Sequence, residues 1–199
     1  MNIKKTVRLA GAVTVALASV SCGDMTRDGQ ASSYLIITSL QAASGADEEL
    51  GGDLRSDVIT VVDDVPTTFN DTGEVQFLLG MKDPGAAGTP SQPTQANFIT
   101  LNRYRVAYSR TDGRNTQGVD VPYAFDGAIT GTVAGTATLG FTIVRHQAKQ
   151  EAPLGALALS GVLVSTVADV TFYGHDQTGR AVSATGRISV HFGNFGDPE

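Results

Sequence analysis

The chain has 199 residues, with 20 acidic against 14 basic side chains and a net charge of −6. That length suits one domain or one large sandwich, and the acidic balance argues against binding to phosphate backbones or to anionic headgroups through a basic patch. Twenty-three Gly, no Trp and few Lys favour strands and turns over helices.

The N-terminal segment has a basic start (Lys4, Lys5, Arg8) followed by a 12-residue apolar run, Leu9 to Val20. A membrane-spanning helix needs about 20 apolar residues. A shorter run behind basic residues reads as a cleavable export signal. The run ends in Ser19-Val20-Ser21-Cys22, which resembles the signal box of bacterial lipoproteins, with Ser19 where Leu is usual and Leu17 two residues earlier. Cleavage by an ordinary signal peptidase is the alternative. The resemblance implies that the Cys22 thiol is alkylated by diacylglycerol and that the chain is cut just before it. Cys22 is the only cysteine, so no intramolecular disulfide is available to it. Two or more acyl chains hold a protein stably, at about 0.8 kcal/mol per buried methylene. Removing residues 1–21 removes three cations and no acids, leaving 11 basic and 20 acidic residues and a net charge of −9. Gly23, not Asp, follows the cysteine, which by the same resemblance favours the outer membrane of a bacterial cell envelope.

Residues 23–33 are small and polar and read as a flexible tether, about 3.3–3.6 Å per residue when extended. Ser33 to Leu40 is predicted as the first strand, 42–57 as an acidic Gly-rich loop, and Val58 to Val62 as a short strand. Asn70-Asp71-Thr72-Gly73 reads as a turn. It is also a formal glycosylation sequon, read here only as that turn. Glu74 to Lys82 is predicted as a strand, with Val75, Phe77 and Leu79 sharing a face. The Pro- and Gly-rich stretch 83–95 is a long loop suited to presenting a binding surface. Asn97 to Arg110 is a long strand. In it Phe98, Tyr104, Val106 and Tyr108 take one parity, and Arg103 and Arg105 the other. Tyr123 to Val133 and Thr136 to Gln147 read as a hairpin around Ala134-Gly135. Ala156 to Leu159 fits either a short helix or a strand.

Val164 to Asp176 and Arg180 to Phe192 flank Gln177-Thr178-Gly179, a three-residue hairpin loop with Gly at the left-handed position. Pairing Asp176 with Arg180 places Phe172 opposite Ala184, Val170 opposite Gly186, Ala168 opposite Ile188 and Thr166 opposite Val190. The other face pairs Tyr173 with Ser183, Thr171 with Thr185, and Asp169 with Arg187, an opposite-charge cross-strand pair. A slip of one residue sends the apolar set into water. The run Val170-Thr171-Phe172-Tyr173-Gly174-His175-Asp176-Gln177-Thr178-Gly179-Arg180-Ala181-Val182 resembles the last hairpin of bacterial immunoglobulin-like domains. It covers about a fifth of the processed chain. Eight or nine short strands separated by turn signals independently fit an all-β, two-sheet antiparallel sandwich.

Chemistry-bearing residues are sparse. No nucleophile elbow, His-Glu-x-x-His, phosphate-binding Gly loop with Lys or spare cysteine nucleophile is present. Gly127, Gly131 and Gly135 recur every four residues inside a strand-turn pattern and do not form a dinucleotide loop. His146, His175 and His191 lack metal-ligand spacing and read as surface residues. The loop acids read first as solvated. If calcium binds, Asp63, Asp64 and Asp71 are its candidates. Arg103, Arg105, Arg110 and Arg114 stand out in so acidic a chain. Arg103 and Arg105 are candidates for an anionic sugar or a partner protein, against the simpler reading of surface pairing with nearby acids. The expected organisation is a signal peptide at 1–21, a lipidated Cys22 and tether at 22–33, and an immunoglobulin-like β-sandwich at 34–199. The expected role is a non-enzymatic, lipid-anchored binding, structural or adhesion-like module. The partner is the membrane through the lipid, a protein or glycan partner is left open, and no cofactor is expected. A carbohydrate- or calcium-binding module is the second reading, and an enzyme with a loop-built carboxylate site the third.

Overall fold

A computed structural model describes residues 30–47 and 49–196. Cys22, the signal segment and most of the tether lie outside them. The fold is all-β, with β1 (Ser33–Ala43), β2 (Asp53–Asp57), β3 (Thr60–Val62), β4 (Val65–Thr67), β5 (Asp71–Met81), β6 (Gly85–Ala86), β7 (Thr89–Pro90), β8 (Ile99–Ser109), β9 (Phe125–Val133), β10 (Thr136–Val144), β11 (Val164–Asp176) and β12 (Ala181–Gly193). A short helix α1 (His146–Gln150) and a 3-10 turn (Leu154–Leu159) separate β10 from β11. No helix among the described residues is long and apolar enough to cross a membrane.

Two sheets carry the domain, ordered β1-β5-β10 and β2-β12-β11-β8-β9. Their inner faces meet in one core. Phe77 of β5 meets Phe172 of β11 edge-on at 5.1 Å, and Phe141 of β10 meets Phe172 at 5.3 Å. Each large apolar side chain buried there contributes about 1.5–3 kcal/mol. Val75, Phe77 and Leu79 alternate inward as expected.

The β11–β12 register is the expected one at every pair named above, from Thr166 opposite Val190 to Tyr173 opposite Ser183. Arg187 donates to Asp169 at 2.6 Å on the outer face. Gly179 has φ +80°, the left-handed conformation that the three-residue loop requires.

Elsewhere the local signals mislead. The expected hairpin of 123–147 does not form. β9 pairs with β8 and β10 with β5, so Ala134-Gly135 carries the chain from one sheet to the other. The two strands stack face on, with Leu139 lying over Gly131. The turn at 70–73 is instead the start of β5. Asp71 is buried there, and Gly73 leaves the space that the Phe141 ring occupies. Part of the expected loop 42–57 is β2, which runs parallel to the end of β12. Its sequence, Asp-Leu-Arg-Ser-Asp, has little strand propensity, and pairing with a long neighbour overrides it. In β8 an extra residue, Asn102, breaks the ladder to β11. This bulge turns Ile99 and Leu101 inward beside Tyr104, where strict alternation had placed Phe98. Among the described residues the two main sheets hold eight strands, and two short hairpins bring the total to twelve.

Candidate functional site

The ladders give the domain two distinct ends. Ser33, Met81, Ile99, Val133 and Asp176 lie at one. Ala43, Asp71, Val144, Ser109, Val164 and Gly193 lie at the other. Loop 83–95, the expected presenting loop, sits at the Ser33 end. The far end carries the connections 44–52, 58–70, 110–124 and 145–163. Exposed large apolar side chains gather on those connections: Val65, Val119, Tyr123, Leu159, Val162 and Leu163, with Leu159 99% exposed.

A buried ion pair fastens these connections to the sheets. Lys149 of α1 donates to Asp71 Oδ1 at 2.7 Å, and both side chains are almost wholly enclosed. Ser56 Oγ donates to Asp71 Oδ2 at 2.6 Å, and the Gly45 N–H donates to Oδ1 at 3.0 Å. One carboxylate thereby ties together the segment after β1, the edge strand β2, the start of β5 and α1. Burial raises the Asp71 carboxyl above the ordinary carboxylate value, and the Lys149 charge and these hydrogen bonds offset that only in part. The Tyr108 hydroxyl, raised strongly by burial and then by the Asp71 charge, donates to the Ile143 carbonyl.

Of the three calcium candidates, Asp71 is buried and bonded to Lys149, Ser56 and the Gly45 N–H. Asp63 and Asp64 form the exposed two-residue turn between β3 and β4, with φ of 50° and 63°. Asp tolerates that left-handed backbone, which accounts for both residues. Among the described residues no three His, Cys, Asp or Glu side chains come together in a way that would hold a metal ion. The histidines lie apart. His191 faces Ser165 across the ladder at 2.9 Å, His175 is exposed near the last turn, and His146 belongs to the far end.

Beside α1 opens a cavity of about 240 Å³, lined by Asn70, Phe125, Asp126, Arg145, His146 and Gln147 among others. Its geometry comes from four segments. Arg145 Cζ lies over the Phe125 ring, 4.4 Å from its centre, a cation–π contact that holds the guanidinium beside the cavity. The His146 N–H donates to Asn70 Oδ1 at 2.7 Å, and His146 Nδ1 lies 3.1 Å from the same oxygen. The floor is apolar because Tyr104 and Phe125 are buried beneath it. Tyr104 reaches the space left by Gly127, where a Cβ would strike its ring.

The sequence-predicted arginines lead to the same place. Arg105 and Arg103 both donate to Asp126, at 2.7 and 3.3 Å. Arg105 lies directly opposite Asp126 in the β8–β9 ladder, and Arg103 also stacks on Tyr173 at 4.2 Å. Arg110 and Arg114 instead share Asp112, whose carboxyl is held well below the ordinary range by the Arg110 hydrogen bond first and then by Arg114. Arg145, Asn70 and Lys149 escaped sequence reasoning. Arg145 follows an apolar run as if continuing a strand, Asn70 looked like turn chemistry, and only the scarcity of lysine in the chain marked Lys149.

No family model matches the chain, and no curated protein matches it.

Proposed function

We propose that the chain is a bacterial lipoprotein whose acylated Cys22 holds an immunoglobulin-like β-sandwich outside the cytoplasm, with the outer membrane as the favoured location. Its role is non-enzymatic binding, as an accessory or adhesion-like module. The observation that carries this reading is the segregation of features along the domain. The chain passes from the tether into β1 at Ser33, while four connections, most of the exposed large apolar side chains and the Arg145 cavity occupy the opposite end, and loop 83–95 stays at the Ser33 end. A domain tethered at one end presents the other to its surroundings, and function concentrates on loops positioned by a rigid scaffold. The all-β architecture with one core between two sheets supports the sandwich reading.

A second reading, a carbohydrate-binding module, is favoured by the cavity itself. An apolar floor with a few convergent polar groups is the usual form of a small-ligand site.

Metabolic labelling with radioactive palmitate tests the anchor. The wild-type chain takes up label and partitions with the membrane, and Cys22→Ala takes up none. Equal labelling of the two, or no labelling of the wild type, refutes the lipoprotein assignment.

A further inference from the structure

The cavity beside α1 differs in charge from the molecule around it. The chain is acidic overall, at −6. Its lining holds one arginine, Arg145, and one carboxylate, Asp126, and Asp126 is ion-paired to Arg103 and Arg105 outside the lining. Asp126 is already shared between Arg103 and Arg105, so that trio keeps one net positive charge. Arg145 forms no ion pair with a carboxylate among the described residues, and lies over the Phe125 ring. A guanidinium held over a ring is restrained in position. A planar, forked donor set matches a carboxylate bidentately. Surface arginines in an acidic protein ordinarily find acids, as Arg110, Arg114, Arg180 and Arg187 do here. Arg145 is left open beside a polar-rimmed hollow.

The remaining lining groups suit hydroxyls. Asn70 and Gln147 bring side-chain amides, and His146 brings an imidazole. The hollow is smaller than the roughly 300–1,000 Å³ typical of drug-sized ligand sites, so a single sugar ring suits it better than a larger ligand. A ring bearing one carboxylate and several hydroxyls satisfies the whole set. Arg103 and Arg105, reached through Asp126 and about half exposed (53% and 45%), offer a second cationic foothold on the neighbouring strand β8.

We infer that this cavity binds an acidic polysaccharide through a uronate residue, with Arg145 on the carboxylate and Arg103 and Arg105 on the neighbouring charge. The inference rests on the binding-module reading and supplies its ligand class.

The test is calorimetric titration of the full chain, kept in detergent, with tetragalacturonate, the neutral galactose tetramer and a sulfated dextran. Tetragalacturonate binds, and its affinity falls as salt rises. Arg145→Ala weakens it about tenfold or more, as expected for losing one member of a charge-assisted contact. Arg145→Lys, which keeps charge but loses the planar fork, recovers only part of that loss. Arg103→Ala has a smaller effect. Unchanged thermal unfolding shows that each variant is folded. No binding of the uronate tetramer, equal binding of the neutral one, tighter binding of the sulfated polymer, or an Arg145→Ala variant equal to wild type each overturns the inference. Palmitate labelling is indifferent to these outcomes, so failure here and failure of the lipid anchor are separately visible.

Discussion

Lys149→Met tests the buried ion pair that gathers the far end. Nζ and Asp71 Oδ1 are 2.7 Å apart and the two side chains are 1% and 0% exposed. Removing the lysine leaves a carboxylate in a dry site with only Ser56 Oγ and the Gly45 N–H as donors. Breaking a buried pair on one side costs about 3–5 kcal/mol, a large share of the roughly 5–15 kcal/mol that holds a domain folded. At about 2–4 °C per kcal/mol for a chain of this size, the melting temperature falls by roughly 6–20 °C. The dependence on pH has a definite sign. Asp71 is already raised above its ordinary value of 3.8 by burial, and loss of the lysine raises it further. A carboxyl with a raised folded value contributes stability fully present below the unfolded value and lost as pH rises through the folded one. The deficit of Lys149→Met is therefore larger at pH 7 than at pH 5. The double variant Asp71→Asn/Lys149→Met removes both charges and recovers at least half of the loss. Urea unfolding followed by circular dichroism at the two pH values measures all three proteins. A single variant within about 1 kcal/mol of wild type at pH 7, or a deficit that does not shrink at pH 5, refutes the assignment of an uncompensated buried carboxylate.

Gly73→Ala places a Cβ against the Phe141 ring and costs about 1–3 kcal/mol by overpacking. Urea unfolding within experimental error of wild type shows that the ring moves freely aside. At the last turn, burial pushes the Asp176 carboxyl up, but donation from the Thr178 hydroxyl and the Arg180 and Thr178 amides brings it below its ordinary value of 3.8. Stability from that turn is therefore present above the ordinary value and lost as pH falls through the folded one. Carboxyl-carbon resonances followed through acid give Asp176 a midpoint below 3.8, and a midpoint above it contradicts the hydrogen-bonded turn.

The last hairpin was legible residue by residue. Its loop length, its Gly at the left-handed position and a period-two apolar pattern all demand one register, and a slip would expose Phe172 and Val170 together. The inner face of β5 was legible for the same reason. Asp71 was not. Asn-Asp-Thr-Gly prefers a turn locally, and nothing near it in sequence reveals a lysine 78 residues away. The cavity was half legible. Arg103 and Arg105 stood out as cations in an acidic chain, yet Asp126 and Arg145 join them only through the ladder and the packing of Phe125.

Composition, periodicity and turn chemistry are properties of neighbours along the chain, so the sequence alone determined the β class, the closing hairpin and the net negative charge. The switch of sheet at Ala134-Gly135, the parallel edge strand β2, the bulge at Asn102 and the meeting of Asp71 with Lys149 were decided only in three dimensions. Each of these depends on which distant segment supplies a ladder partner, a space for a ring or a counter-charge. A burial energy of that kind is set by the assembled core rather than by any local run of residues.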